Sequence, residues 1–420
     1  MSRDRRPTFL APFSVRGFRF LWVADLLTAA AIEMEVLILG WYMLVETGSV
    51  VLLTLLGAVQ FTGTLVAPLF GVFGDRIGLR TLLATMRAAY ALLATLLTLL
   101  AFTGNLSPVV VLVVAGIASL FRSSDTGMRA ALVAHIVPVH QLMSAIAVAR
   151  TTSDAARIAG ALTGAGLFAW LGLAPAYLIV AACHLMGCLL TLGARPNPGA
   201  TDVTAGAPSV QRGSHWRDLR EGLAYVWRTP HLNAAVWLAF LANLTALPLS
   251  SGLLPYVARE VYRLDQNGLG ALVACFGIGA LIGSLTVSLG GTRIRAGRSM
   301  LGAAAAWYAL LIVFAHVPTA AGGMIMLVFA GLAQSLCMVP LAAMMLRTTS
   351  VQFRGRVMGA RMLAINSLPV GLLAAGPLIE RMGFRSTMTL YAATGLVMVL
   401  AIAVGWRKSL LSIDAAANRR

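Results

Sequence analysis

Residues 71–80 read Gly71-Val72-Phe73-Gly74-Asp75-Arg76-Ile77-Gly78-Leu79-Arg80, a short loop of glycines and charges set between two long apolar stretches near 50–73 and 81–103. Each residue type has a mechanical reason to be there. Gly71 and Gly74 let helix backbones approach closely, and Gly78 admits a tight turn. Asp75 is an acceptor suited to the N-terminus of a helix, where the dipole favours an anion. Arg76 and Arg80 put two cations at the foot of the flanking helices.

Outward from this loop the chain is a succession of apolar stretches. Hydrophobic residues fill 59% of its 420 positions and charged residues only 11%, against about 25% charged in a soluble protein. Lipid is therefore the expected solvent. A crossing helix takes about 20 mostly apolar residues, because each backbone polar group must be satisfied within the segment. Such stretches fall near 18–45, 50–73, 81–103, 107–128, 143–169 and 174–194. A second set falls near 232–257, 267–289, 299–316, 320–346, 356–378 and 386–406. The reading is an all-α integral membrane protein of twelve spans. Arg3, Arg5, Arg6, Arg16 and Arg19 lead into the first, with no small-residue cleavage site after a short apolar core, so that segment is expected to stay and insert.

The net charge of +17 comes from 31 Arg and one Lys scattered singly or in pairs, with no continuous basic face of the kind that binds nucleic acid. Topology accounts for it better, since basic residues gather in cytoplasmic loops. With the N-terminus inside, the inner loops hold Arg76 and Arg80, Arg195 through Arg228, Arg293, Arg295, Arg298, Arg347, Arg354 and Arg356, and the tail adds Arg407, Lys408, Arg419 and Arg420. The outer loops hold only Arg259, Arg263, Arg381 and Arg385. Both ends are thus expected in the cytoplasm, and the membrane is expected to be the cell inner membrane.

The one long polar stretch follows the sixth span. Pro196, Asn197, Pro198 and Gly199 break the helix, and a Gly/Ala/Thr/Ser segment follows as a flexible linker. Trp216-Arg217-Asp218-Leu219-Arg220 to Trp227-Arg228 then reads either as an amphipathic helix at the membrane surface or as the start of the seventh span. Either way the chain divides into a six-helix half at 1–194, a linker at 195–230 and a second half with a cytoplasmic tail at 231–420. Two such halves are the arrangement of transporters whose site lies where the repeats meet.

The 71–80 loop, in its place after the second of twelve spans, resembles the signature of the major facilitator superfamily, with Leu79 where the pattern prefers Arg. The resemblance implies the major facilitator fold and alternating access. It also implies that Asp75 meets the helix beginning around Arg354-Gly355-Arg356, with Arg122, Asp125 and Arg129 joining Asp75 and Arg76 in a cytoplasmic gate. The corresponding loop of the second half, Gly283 to Arg298, keeps Gly290, Gly291 and three Arg but lacks the Asp. Shorter patterns are similar to the branch of enterobactin exporters and macrolide efflux pumps. They are Phe20-Leu21-Trp22, Thr47-Gly48-Ser49, Arg354-Gly355-Arg356-Val357-Met358-Gly359 and Pro369-Val370-Gly371, within a likeness running from about residue 13 to 405. One departure is Gly160-Ala161-Leu162-Thr163-Gly164 in span five, where many antiporters carry Gly-Pro; the small-residue face stays but the proline is missing.

Ionisable residues inside the membrane are costly and mark function by default. Span one holds Asp25, Glu33 and Glu35, together worth about 8–10 kcal/mol if left as ions in lipid. At 100° per residue Asp25 and Glu33 lie about 80° apart, while Glu33 and Glu35 lie about 160° apart and cannot share one cavity. One of Glu33 and Glu35 is expected to carry a proton and the other to make a structural contact, with Asp25 nearer the cytoplasmic mouth; the alternative is that all three are permanent ion-pair partners. In span five, Arg150, Asp154 and Arg157 are spaced so that Asp154 can pair with either arginine. Arg87 and Arg361 are expected to snorkel or pair near the inner boundary.

By the same resemblance, spans one, four, seven and ten line the substrate path, with Trp41, Tyr42, Asn243, Gln334 and Met338 as binding candidates or ordinary packing residues. Met324, Met326, Met338, Met344 and Met345 in span ten suit a permissive surface. Cys183, Cys188, Cys275 and Cys337 sit in apolar spans without metal-ligand spacing, and the six His form no ligand pair. No glycine loop with Lys is present for ATP. No cofactor, metal or enzymatic role is expected. The reading is proton-coupled export of a small hydrophobic or amphiphilic compound, with protons, substrate and the bilayer as partners and a monomer sufficing. Lipid or lysolipid movement, symport uptake, or a non-transporting sensor are the alternatives.

Overall fold

A computed structural model describes residues 11–65, 77–138, 141–194, 215–290, 296–350, 353–406 and 409, and all regular structure among them is helical. The helices are α1 (Arg16–Thr47), α2 (Val50–Val59), α3 (Leu79–Phe102), α4 (Pro108–Ile136), α5 (Leu142–Leu171) and α6 (Leu173–Gly193). After them come α7 (His215–Arg228), α8 (Pro230–Val261), α9 (Gln266–Gly290), α10 (Ala296–His316), α11 (Ala320–Thr348), α12 (Arg354–Ile365) and α13 (Ser367–Gly405). Gly71, Asp75 and Arg76 of the gate loop lie outside the described residues.

Local chemistry sets the ends. Ser107 caps α4 by accepting from Val110 N at 3.4 Å, with Pro108 as first helical residue, where its missing N–H costs nothing. Thr319 caps α11 through Gly322 N at 3.3 Å. Gly78 stands before α3 at φ 86°, a left-handed turn that a side chain would resist. Within α13, Gly383 at φ 79° breaks the rod, so one helical run supplies the end of span eleven and all of span twelve.

Eight helical runs are long and apolar enough to cross a membrane by length and composition alone, the last of them Gly355–Gly405. Dividing that run at Gly383, adding the charge-bearing α1 and α5, and taking the apolar α2 as the start of span two gives twelve among the described residues. The rod α8 contains three stretches of wide π turns, Ala242–Ala246, Leu249–Leu253 and Val257–Val261. Pro248 and Pro255 lie beside them; a proline lacks the N–H for the i→i−4 bond and crowds the preceding turn, which a wider turn relieves.

The helices gather into two compact units. The first contains α1, α3, α4, α5 and α6; the second contains residues 48–58, which hold all of α2 but Val59, together with α7, α8 and α10–α13 and most of α9. In the second unit α7 is a helix of its own, separated from α8 by Thr229. It docks on the start of α12. Tyr225 stacks on Phe353 with ring centroids 4.6 Å apart, and Arg356 Nη1 meets Glu221 Oε2 at 2.7 Å. The ion pair is partly exposed, so Glu221→Ala is expected to lower stability by less than about 1 kcal/mol. Tyr225→Ala removes a stacked ring and its buried area and is expected to cost more, about 2 kcal/mol. Thermal unfolding in detergent ranks the two; a larger loss for Glu221→Ala refutes the ranking.

Candidate functional site

Among the described residues, every buried side chain that is ionic at neutral pH (Asp25, Glu35, Arg87, Asp125 and Asp154) belongs to the first unit. The second unit buries neutral groups: Thr245 bonds Tyr308 at 2.8 Å, Ser335 donates to Ala280 O at 2.8 Å, and Tyr391 donates to Gly371 O at 2.8 Å.

The first layer of charge surrounds Arg87 of α3, which is wholly buried. Its Nη2 donates to Asp25 Oδ1 of α1, its Nη1 donates to Thr191 Oγ1 of α6 at 2.5 Å, and its Nε lies 3.8 Å from Asp125 Oδ1 of α4. Arg129 Nε, also on α4, lies 3.9 Å from Asp25 Oδ2. Two carboxylates and two guanidiniums cancel. Buried ions persist only under such cancellation, because each uncompensated one costs several kcal/mol. Of the two fates expected for Arg87, it pairs rather than snorkels, and in doing so ties four helices together.

The second layer lies ten residues along α1, about 15 Å away at 1.5 Å per residue. Glu35 Oε2 is 3.6 Å from Arg122 Nη2 of α4 and 3.9 Å from His184 Nε2 of α6. Arg122 Nη1 also donates to Gln60 Oε1 at 3.2 Å. The Tyr177 hydroxyl of α6 faces Glu35, and Tyr90 of α3 lies against the His184 ring with centroids 5.4 Å apart. Here hydrogen bonding is incomplete. Among the described residues, the hydroxyls of Tyr90 and Tyr177, Arg122 Nε and both ring nitrogens of His184 are buried with no partner within hydrogen-bond distance.

Glu33 faces away from Glu35, as their angular separation on α1 requires. Its Oε1 meets Arg157 Nε of α5 at 3.4 Å, in a partly exposed pair. Asp154 pairs with Arg150 at 3.3 Å, one helical turn apart. So the two arginines offered to Asp154 divide: one stays on its own helix and the other reaches α1. Trp22 Nε1 adds a hydrogen bond to Thr152 Oγ1 at 2.7 Å. Arg122, Asp125 and Arg129 are thus engaged by α1, α3 and residue 60, while Asp75 and Arg76 lie outside the described residues. Arg80 sits half-buried in the first turn of α3.

The binding candidates have ordinary surroundings. Trp41 is buried, and the Tyr42 hydroxyl donates to Leu106 O at 3.0 Å. Asn243, in the first π stretch of α8, donates to Ala239 O at 2.8 Å; Gln334 and Met338 of α11 are half-buried. Sequence reasoning missed His184 as a member of the Glu35 layer. The available signal was a lone histidine inside an apolar span, which is a functional candidate by default.

The chain matches the sequence profile of the Major Facilitator Superfamily over residues 21–372. It is 29% identical over 200 residues to the multidrug efflux pump Tap of Mycolicibacterium fortuitum, a match spanning 47% of this chain and 47%, about half, of that protein. Among solved structures it resembles the nucleoside transporter NupG, with a TM-score of 0.72 at 14% identity over 92% of this chain and 98% of that one. It also resembles a bacterial homolog of the human lysosomal transporter Spinster, with a TM-score of 0.65 at 12% identity over 100% of this chain and 99% of the other.

Proposed function

The chain belongs to the major facilitator superfamily, and from that premise we propose that it is a secondary transporter using inward proton flow to export a small hydrophobic or amphiphilic compound. The observation that carries the proposal is Glu35: a buried carboxylate on α1 whose companions, Arg122 and His184, come from two other helices. An intramembrane acid with exchangeable partners is the chemistry a proton carrier needs, since it can be neutralised either by a cation or by a proton. Glu33, bound to Arg157 on a more exposed face, takes the structural role. The likeness to a multidrug efflux pump supports efflux as the direction. On this reading the 195–230 linker joins two halves of six helices each. The arginine asymmetry supports placing both termini in the cytoplasm and the protein in the inner membrane. A potential of about 100 mV supplies roughly 2.3 kcal/mol per charge moved, or about fiftyfold accumulation.

The test uses pyranine-loaded proteoliposomes challenged with ethidium, a macrolide and a catecholate siderophore. At least one compound is expected to trigger proton movement. Glu35→Gln is expected to lower that movement more than about tenfold, equivalent to over 1.4 kcal/mol, while Glu33→Gln retains most of it. Substrate movement without protons in the wild type would point to a facilitator or lipid mover and defeat the reading. Full activity in Glu35→Gln would move the carrier elsewhere.

A further inference from the structure

We infer that His184 is a second proton-binding group of the Glu35 layer, taking up a proton when Arg122 withdraws from Glu35. The inference rests on the coupled-transport reading and adds the group that holds the proton beside the carboxylate.

The ring is fully buried, and among the described residues neither of its nitrogens has a partner within hydrogen-bond distance. A neutral imidazole carries one donor and one acceptor, and leaving each unsatisfied in a buried site is destabilising. Native structures seldom leave such a group without cause. Its Nε2 already points at Glu35 Oε2 from 3.9 Å. An approach of about 1 Å turns that proximity into a charge-assisted hydrogen bond if the ring is an imidazolium. The arrangement is therefore one step short of an ion pair.

Charge balance states when the step occurs. With Arg122 against Glu35 the layer sums to zero and the ring stays neutral. If Arg122 moves away, Glu35 is left as a buried, uncompensated anion, and a proton taken from water onto His184 restores neutrality. Arg122 is the more exposed partner. Its side chain is 22% exposed, whereas those of Glu35 and His184 are 8% and 1% exposed. Beyond Glu35 it also holds the neutral amide of Gln60, a weaker tether than a second carboxylate would be.

Apart from Arg122, the charged groups around the Glu35–His184 pair are matched with one another. α1 contributes Glu35 and, one layer away, Asp25; α3 contributes Tyr90 and Arg87; α4 contributes Arg122 and Asp125. α6 itself adds Tyr177 and Cys188, and the charges of α5 are taken up as Arg150–Asp154 and Arg157–Glu33. Arg87 is committed to Asp25, Asp125 and Thr191. His184 is left as the base that faces Glu35.

Histidine-selective ¹⁵N NMR of the full chain in nanodiscs tests this, with the His184 signal assigned by His184→Gln. In Arg122→Gln at neutral pH the His184 ring is expected as imidazolium, and adding Glu35→Gln is expected to return it to neutral. Arg122→Ala gives a second route if Arg122→Gln is not recovered folded, with the same imidazolium expected at neutral pH and the same return to neutral when Glu35→Gln is added. A ring that stays neutral in whichever variant is recovered folded overturns the inference, even if ethidium efflux is still abolished by an uncoupler. A His184 that charges as described, in a protein whose ethidium movement ignores the uncoupler, defeats the coupling reading instead.

Discussion

Arg87→Leu is expected to prevent recovery of folded protein from membranes, as the most damaging single substitution in the first unit. The side chain is wholly buried and engages Asp25, Asp125 and Thr191 from three other helices. Removing it strands two buried carboxylates with one guanidinium, and breaking a buried pair in this way costs about 3–5 kcal/mol. A domain's whole stability is about 5–15 kcal/mol. The charge argument makes a second, sharper statement. In Arg87→Gln/Asp25→Asn the remaining Asp125 and Arg129 again cancel, and their spacing of four on α4 lets them pair along one face. The double variant is therefore expected to restore a monodisperse peak on fluorescence-detected size exclusion, where Arg87→Gln alone aggregates. Equal failure of both would mean that the Arg87 contacts act by shape and hydrogen bonding rather than by charge cancellation.

How much of this is legible in the sequence depends on whether the physics is local. Span length is local, so most of the spans follow from runs of apolar residues. The break between the last two falls where Arg381 and Arg385 bracket Gly383. The angular separation of Glu33 and Glu35 is also local to one helix, and the two do part company, one to Arg157 and the other to Arg122 and His184. Partner identity is not local. Asp25 and Arg87 are 62 residues apart, Glu33 and Arg157 124, and nothing in spacing joins them. A single arginine near a span end usually reaches the headgroups, so the sequence leaves Arg87 between snorkelling and pairing. In the fold it is buried among Asp25, Asp125 and Thr191, with Ala84 and Ala91 on its own helix also buried. His184 carries no motif at all. The π turns of α8 are similarly hidden, although Pro248 and Pro255 are there to be weighed.

Gly160→Val is expected to reduce proton-linked efflux more than about tenfold, through backbone geometry and without touching a charge. The Gly160–Gly164 face of α5 lies against α1 so closely that side chains have no room. A Cβ on Gly160 would sit 2.7 Å from Ala30 O and 3.1 Å from Glu33 Cβ, and one on Gly164 would sit 2.9 Å from the α-carbon of Met34. Opposite Gly160 the two nearest atoms are the carbonyl oxygen and α-carbon of Ala30, so α1 itself must move. That displacement carries Glu33 away from Arg157, Trp22 away from Thr152, and Glu35 away from its two partners, all set within 2.7–3.9 Å. Small residues at this seam are thus what holds the carboxylates in register, which is how a membrane interface without a hydrophobic drive is usually built. Gly166→Ala on the same helix is the control, because nothing lies within 4 Å of its Cβ position and alanine favours the helix by up to about 1 kcal/mol. It is expected to leave efflux within twofold and to raise the unfolding midpoint slightly. Wild-type proton movement in Gly160→Val would show that the α1–α5 seam does not position the Glu35 layer.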